Sequence, residues 1–274
     1  MTGLPTREGL AHLWRALPTL LRIGFAQIIA YRAEVAIWVL SATTPLIMLA
    51  LWNAVAADGP VAGLDQDDMA RYFTATLVVR QLTTSWMIWQ LNYQIRTGEL
   101  SPRLLRPMHP LVVEAGTMLA DKPFRLVVIA PVLLALVAWR PELWSVPEPA
   151  ALVLFLVTVL VAWLLLYLVQ ALFGMLAFWL DQSAGLFGVW FATWGLLSGY
   201  VAPLAVFPAE MQGVLDWLPF RYMLALPVEL LGGFLTAREA LPQLGIQLAW
   251  LVVLFALTAF TWRRGVRHYG AFGA

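Results

Sequence analysis

Long apolar runs separated by short polar segments make up most of this chain. Six of the runs reach about 17–25 residues, the length that crosses the hydrocarbon core of a bilayer. They cover residues 35–57, 70–93, 123–139, 151–179, 184–206 and 240–262. The pattern therefore predicts an all-α integral membrane protein, with a domain of six transmembrane helices in residues 35–274.

The first 34 residues follow a different pattern. Apolar side chains recur every three or four positions from Leu10 to Ile29, while arginines such as Arg15 and Arg22 fall on the other face. A helix of this kind lies in the headgroup plane, with its apolar face inward and its arginines toward anionic lipids. We predict an N-terminal interfacial amphipathic helix in residues 1–34, which serves as a membrane anchor, a partner-binding element or both.

Prolines and glycines interrupt the apolar stretch between the fifth and sixth predicted spans. They are Pro203, Pro208, Pro219, Pro227, Gly232 and Gly233. The pieces between them are too short to cross a bilayer, and non-helical backbone at membrane depth persists only where protein or a water-lined cavity satisfies it. We predict short re-entrant helices here; an outer loop lying on the membrane surface is the alternative.

Composition and charge support a membrane location and give it an orientation. Hydrophobic residues make up 61% of the chain and charged residues 12%, whereas about 25% of residues in soluble domains are charged. Of the 17 lysines and arginines, twelve lie in residues 1–34, 94–125 and 263–267. The positive-inside rule then predicts a multi-pass protein of the inner (plasma) membrane with both termini in the cytoplasm.

The sequence offers little for catalysis. A phosphate-binding loop needs a lysine directly after a glycine, and the only lysine, Lys122, follows an aspartate. His12, His109 and His268 all fall in predicted cytoplasmic segments, so an intramembrane Ser–His pair cannot form. Cysteine is absent. We predict that the chain is not an enzyme, holds no metal or cofactor of its own and binds no nucleic acid.

The cytoplasmic connection after the second span contains a short segment that suits a soluble partner. Residues 97–106 have the length of one or two helical turns lying parallel to the membrane. Their apolar side chains are Leu100, Leu104 and Leu105, and their charged ones are Glu99, Arg103 and Arg106. An amphipathic piece with outward charges fits the groove of a soluble domain. The alternative is a basic loop that only sets topology.

The order of these elements resembles the membrane permeases of type-2 ATP-binding-cassette exporters. The resemblance covers nearly the whole chain, including the run from Gly98 to Pro107 and the broken outer run from Leu218 to Tyr222. It implies a second six-span permease subunit, identical or related, and two separate cytoplasmic ATPase subunits that carry ATP and Mg²⁺. It also implies a coupling helix near residues 97–106. Its candidate residues are Gly98, Glu99, Leu100, Arg103, Leu104 and Arg106.

Arg80 is the one formal charge well inside a predicted span. A charge near mid-membrane costs at least ~2.5–3.5 kcal/mol on insertion scales, so it faces a partner or a wet cavity. It either snorkels outward, pairs with Glu229 or pairs with a carbonyl of the broken outer helices. The rival interpretation comes from the resemblance, in which the second and fifth spans line the export path. Arg80, Gln81 and Tyr200 are then path candidates for an acidic or phosphate-bearing substrate.

Two function classes follow. The first is a permease subunit that moves a substrate outward with energy from ATP hydrolysed on separate subunits. The second is a non-transporting membrane scaffold or channel whose cytoplasmic loop docks another partner. The sequence does not select a substrate among drugs, lipids, glycans and peptides.

Overall fold

The computed structural model describes residues 44–144, 148–180 and 183–269, which form twelve α-helices and no β-strand. The helix predicted for residues 1–34 and the start of the first predicted span lie outside the described residues. The helices are α1 Thr44–Val55, α2 Gln66–Thr83, α3 Met87–Arg96, α4 Leu100–Leu104, α5 Pro110–Ala120, α6 Lys122–Trp139, α7 Pro149–Met175, α8 Ser183–Leu197, α9 Ala209–Leu215, α10 Pro219–Met223, α11 Ala225–Leu231 and α12 Ala237–Tyr269.

Among the residues that the structure describes, three helical units are long and apolar enough to cross a membrane. They are Pro110–Trp139, formed by α5 and α6 in succession, Pro149–Phe178, formed by α7 and a 3₁₀ turn, and Ala237–Tyr269. The third, fourth and sixth predicted spans lie within or almost within these units. The apolar units Thr44–Asp58 and Gly185–Leu197 are shorter. The all-α class is therefore confirmed for the described residues, and three of the six predicted spans correspond to helices of membrane-spanning length and composition.

The second predicted span, residues 70–93, is not one helix. It is divided into α2 and α3 by the segment 84–86. The hydroxyls of Thr83 and Thr84 each donate a hydrogen bond to the carbonyl oxygen four residues earlier, at 2.9 and 2.6 Å. Such bonds compete with the helix ladder. The Lys122 ammonium donates to the carbonyl oxygen of Thr84, which satisfies a backbone acceptor at the break.

The helix of the fifth predicted span is shorter than residues 184–206. It ends at Leu197 after 15 residues, about 22 Å of helix at 1.5 Å per residue. A tight turn follows, in which Gly199 has φ +87° and accepts a 2.8 Å hydrogen bond from the hydroxyl of Tyr72. A side chain at Gly199 would overlap that hydroxyl, so both the backbone angle and the packing require glycine here.

Helix α7 lies at the centre of the fold and packs against α2, α3, α11 and α12. Most of its side chains from Val159 onward are buried. Its approach to α3 depends on Gly174, because a Cβ there would lie 3.1 Å from the Leu91 Cβ and 3.3 Å from the carbonyl oxygen of Ile88. Close backbone approach of this kind is typical of small residues between membrane helices.

The segment between α8 and α12, which we call the outer segment (residues 207–236), contains α9, α10 and α11. Helices α10 and α11 are largely buried and pack against α7. One side chain joins α10 to the two long helices α7 and α12. The amide nitrogen of Gln247 in α12 donates to the carbonyl oxygens of Thr158 in α7, at 2.9 Å, and of Tyr222 in α10, at 2.8 Å. The outer segment is therefore tied into the helical core.

Candidate coupling segment and path residues

A short helix, α4, lies where the coupling helix was predicted, within residues 97–109, which we call the docking segment. Gly98, with φ +81°, makes the turn from α3 into α4. Leu100 is fully buried and Leu104 is half-buried against the core, as expected for the inward face of an amphipathic turn. Leu105 was predicted on the same apolar face, but 88% of it is exposed. It is available to a partner.

The charges of the docking segment divide into one inward and two outward side chains. Arg103 pairs with Glu114 of α5, and the amide of Gln94 in α3 donates to the same Glu114 oxygen at 2.8 Å. The Arg103 side chain is 28% exposed and that of Glu114 only 9%. Glu99 and Arg106 are exposed. The outward charges available to a partner are thus Glu99 and Arg106, while Arg103 holds the segment to the fold.

Sequence reasoning did not identify Glu114. Its signal was present: a single acidic residue stands in the apolar sequence of α5 (PLVVEAGTMLA). A carboxylate in such a setting needs a partner, because burial of an unpaired charge is costly. Its two partners, Gln94 and Arg103, are 20 and 11 residues away. Only the fold brings the three together.

Two further residues, Ser101 and His109, connect the docking segment to neighbouring helices. The Ser101 and Tyr269 hydroxyls are 3.0 Å apart, which joins α4 to the end of α12. His109 caps α5, because its Nδ1 accepts from the backbone nitrogen of Leu111 at 3.3 Å. The ring centroid of His109 lies 4.8 Å from that of Trp262. Desolvation of the ring lowers the pKa of His109, which favours the neutral form that can act as acceptor.

Arg80 faces aromatic rings. Its guanidinium carbon lies 5.9, 5.1 and 5.6 Å from the ring centroids of Phe191, Trp194 and Tyr200. Cations are attracted to ring faces within about 6 Å. Of the alternatives considered for Arg80, the pair with Glu229 is not among the described contacts, because Glu229 accepts a 2.6 Å hydrogen bond from Arg221.

The three path candidates do not form one group. Arg80 and Tyr200 lie together, and Tyr200 also packs against Trp194 with ring centroids 5.3 Å apart. Gln81 is fully buried, and its amide atoms find no hydrogen-bond partner among the described residues.

A second basic group lies near the helix break, and the sequence analysis did not predict it. Lys122 and Arg125 share the carboxylate of Asp121 at 3.0 and 2.7 Å.

Metal-binding geometry is not found within residues 44–144, 148–180 and 183–269, where no three histidine, cysteine, aspartate or glutamate side chains form a group able to hold an ion. The clusters described above are basic and aromatic. Such groups can bind anions, pack against lipid or hold helices together.

Within the described residues the structure is all-helical, with three helical units long and apolar enough to cross a membrane. A family model described as ABC-2 family transporter protein matches residues 35–273. The chain therefore belongs to the ABC-2 transporter family. Members are permease components of transporters, are not themselves catalytic and normally work with ATPase subunits. No curated protein and no solved structure matches the chain.

Proposed function

We propose that this chain is the permease subunit of an ATP-binding-cassette exporter in the inner (plasma) membrane. It moves a substrate outward, together with a second six-span subunit, while ATP and Mg²⁺ are bound by separate cytoplasmic ATPase subunits. The observation that carries the proposal is the family match over residues 35–273. The anchored helix α4, with Leu105, Glu99 and Arg106 exposed beside it, supports a docking role for residues 97–109.

The membrane arrangement is part of the same proposal. The chain crosses six times, with both termini and the docking segment in the cytoplasm and with the outer segment re-entrant from the opposite side. The buried helices α10 and α11 favour the re-entrant interpretation over a loop lying on the membrane surface. The positive-inside distribution of lysine and arginine favours this orientation.

Arg80 and Tyr200 are proposed to line the export path. Gln81, which is buried and follows Arg80 in the sequence, is the third candidate. The Arg80 side chain is only partly buried and lies between α2 and α8. These two helices belong to the spans that face the second subunit in the proposed arrangement. A cation held there against rings attracts the acidic or phosphate group of a passing substrate.

Co-purification with an ATPase tests the proposal. The tagged full chain is expressed in its native cells and isolated from their membranes, and the proteins that co-purify are tested for an ATP-binding-cassette ATPase. We expect the ATPase to co-purify and to hydrolyse ATP. The Glu99→Ala/Arg106→Ala variant should lose most of the bound ATPase, because charged interface groups fix register and discriminate partners, while exposed charges contribute little to stability.

The matched control is Glu210→Ala/Arg238→Ala, which removes one exposed charge of each sign from the predicted outer side. It should retain the ATPase. A wild-type chain that is isolated intact but never with an ATPase would contradict the exporter proposal and favour the scaffold or channel. Equal loss of the ATPase in both double variants would show that residues 97–109 are not the docking site.

A further inference from the structure

We propose that Glu114 is a positioning residue that links the docking segment to α3. Through it, displacement of α4 by an ATPase subunit moves the cytoplasmic half of the second predicted span. The inference rests on the proposed function and names the side chains through which the docking segment acts on the membrane helices.

One oxygen atom of Glu114 is shared by two helices. Its Oε1 accepts from Nη1 of Arg103 in α4 and, at 2.8 Å, from Nε2 of Gln94 in α3. Glu114 itself belongs to α5. Three helices therefore meet at a single acceptor, and Gln94 is fully buried at this point. A movement of Arg103 changes the position of the group that also holds Gln94.

The burial of Glu114 makes its ion pair with Arg103 costly to break. Removing one partner of a buried ion pair leaves an uncompensated charge, which is strongly unfavourable, and Glu114 is nearly excluded from solvent. Helix α4 has only five residues, fewer than an isolated helix needs to be stable. It is consequently held by its contacts, and the ion pair to Glu114 joins the buried contact of Leu100 and the Ser101–Tyr269 hydroxyl pair.

Helix α3 can tilt relative to α2, on the face of α7 against which it packs. The break at residues 84–86 divides it from α2, and a few residues at the end of an element are enough to absorb a hinge movement. Lys122, which donates to the Thr84 carbonyl and pairs with Asp121, holds the backbone at the hinge. A displacement passed to Gln94 thus tilts α3 about residues 84–86 while α2 keeps its contacts with the outer part of the fold.

The absence of native cysteine allows a direct test in the complex with its co-purifying ATPase. A fluorescent or spin probe is attached at Tyr93→Cys, which is 55% exposed on α3, or at Val253→Cys, which is 45% exposed on α12. The probe signal is compared without nucleotide and with a non-hydrolysable ATP analogue. We expect a response at Tyr93→Cys.

Gln94→Ala cuts the link to α3 and keeps the Arg103–Glu114 pair. We expect it to retain the ATPase but to lose most of the nucleotide-dependent response at Tyr93→Cys. Val253→Cys should respond equally with and without Gln94→Ala. Gln170→Ala, which removes another buried glutamine amide, on α7, is the matched control and should leave the Tyr93→Cys response intact.

Charge reversal gives a second measurement. Glu114→Arg alone should abolish the response, and Arg103→Glu/Glu114→Arg should restore it, because the pair is re-formed and the Gln94 amide can turn its oxygen toward the new donor. A full response with Gln94→Ala, or no recovery in the double variant when it retains the ATPase, overturns the inference. A silent Tyr93→Cys probe in an otherwise functional complex overturns it too, while the proposed function stands. A wild-type chain without an ATPase overturns both.

Discussion

The hydroxyl of Tyr72 donates a 2.8 Å hydrogen bond to the carbonyl oxygen of Gly199, so α2 is fastened to the turn that ends α8. The indole nitrogen of Trp52 donates to the carbonyl of Val201 at 2.8 Å in the same turn. Two aromatic side chains from the first part of the chain therefore fix one short stretch of backbone. The two hydrogen bonds hold the turn at the end of α8, the helix that carries the Phe191 and Trp194 rings facing Arg80.

Replacing Gly199 with alanine tests this arrangement. A non-glycine residue at φ +87° is strained, and the new methyl group overlaps the Tyr72 hydroxyl. We expect the free energy of unfolding to fall by about 1–3 kcal/mol, the usual cost of one strained residue. The measurement is thermal or denaturant unfolding of the purified protein in detergent.

The control for this substitution lies four residues earlier, within α8. A Cβ at Gly195 has no neighbour within 4 Å, so Gly195→Ala should be neutral or slightly stabilising, since alanine favours the helix. Equal stability of Gly199→Ala and Gly195→Ala would contradict the structural account of the turn.

The contact between Arg80 and Phe191 should be measurable as a coupling energy. Phe191 is 40% exposed, so Phe191→Leu removes a ring without opening a large cavity. We expect a double-mutant cycle between Arg80→Gln and Phe191→Leu, measured on the free energy of unfolding, to give a coupling energy of about 0.5–1 kcal/mol, as for partly exposed cation–π pairs. Phe255→Leu, on α12, supplies the uncoupled reference, and a zero coupling energy for Phe191 would rule out the contact.

Arg80→Gln also separates a path role from a structural one. It removes the charge and keeps a polar group. If Arg80 lines the export path, the variant should assemble with its partners and transport anionic substrates more slowly, with neutral ones unaffected. Transport assays with a set of charged and neutral substrates give the readout. An assembled variant with unchanged transport of anions would dismiss the path role.

His109 predicts a pH dependence of stability. Its pKa is lowered from the ordinary value of 6.5, so the unfolded chain binds its proton more readily than the folded one. The stabilising contribution is complete above pH 6.5 and is lost as pH falls from 6.5 through the lowered pKa. Protonation also removes the Nδ1 acceptor that caps α5. Thermal unfolding between about pH 5 and 8 should show this loss.

The comparison is with His109→Asn, which keeps an acceptor suited to the first residue of a helix and does not titrate. Its melting temperature should vary less over the same range. Identical pH profiles for the two proteins would show that the His109 ring does not contribute.

Single cysteines test the orientation. Ala57→Cys and Leu105→Cys are both at exposed positions, and the wild-type chain has no cysteine to interfere. In intact cells, a reagent that does not cross membranes should label Ala57→Cys, and it should label Leu105→Cys only after permeabilisation. The reverse pattern would overturn the proposed topology.

The long helices could be predicted from the sequence because a run of apolar residues long enough to span a bilayer has few other uses. The limits of α6 lie within a residue of the predicted third span, residues 123–139. The break in the second span could not be read from hydropathy, because the hydroxyls of Thr83 and Thr84 are a local polar signal inside a long apolar average. Thr84 leaves the helical conformation, with ψ 135°, and its carbonyl oxygen accepts from Lys122, 38 residues away, a contact that only the fold supplies.

The candidate site was predicted less completely, for a different reason. Sequence spacing indicated a short amphipathic helix at residues 97–106, and α4 lies there. It could not indicate that Arg103 turns inward, since Glu114 and Gln94 reach it only through the packing of three helices. For Arg80, the need for a neighbour was clear, but aromatic residues that face a guanidinium look the same in sequence as those that fill a core.

The bridge from Gln247 to the carbonyls of Thr158 and Tyr222 has a consequence for biogenesis. Helix α12 follows α7 and α10 in the chain, so a ribosome makes Gln247 after both acceptors. During synthesis, α10 has no amide to fasten it to α7 until α12 has entered the bilayer. The bridge between α10 and α7 is therefore completed late, when the permease is nearly complete, and a defect in the folding of α12 would leave the Thr158 and Tyr222 carbonyls without this donor.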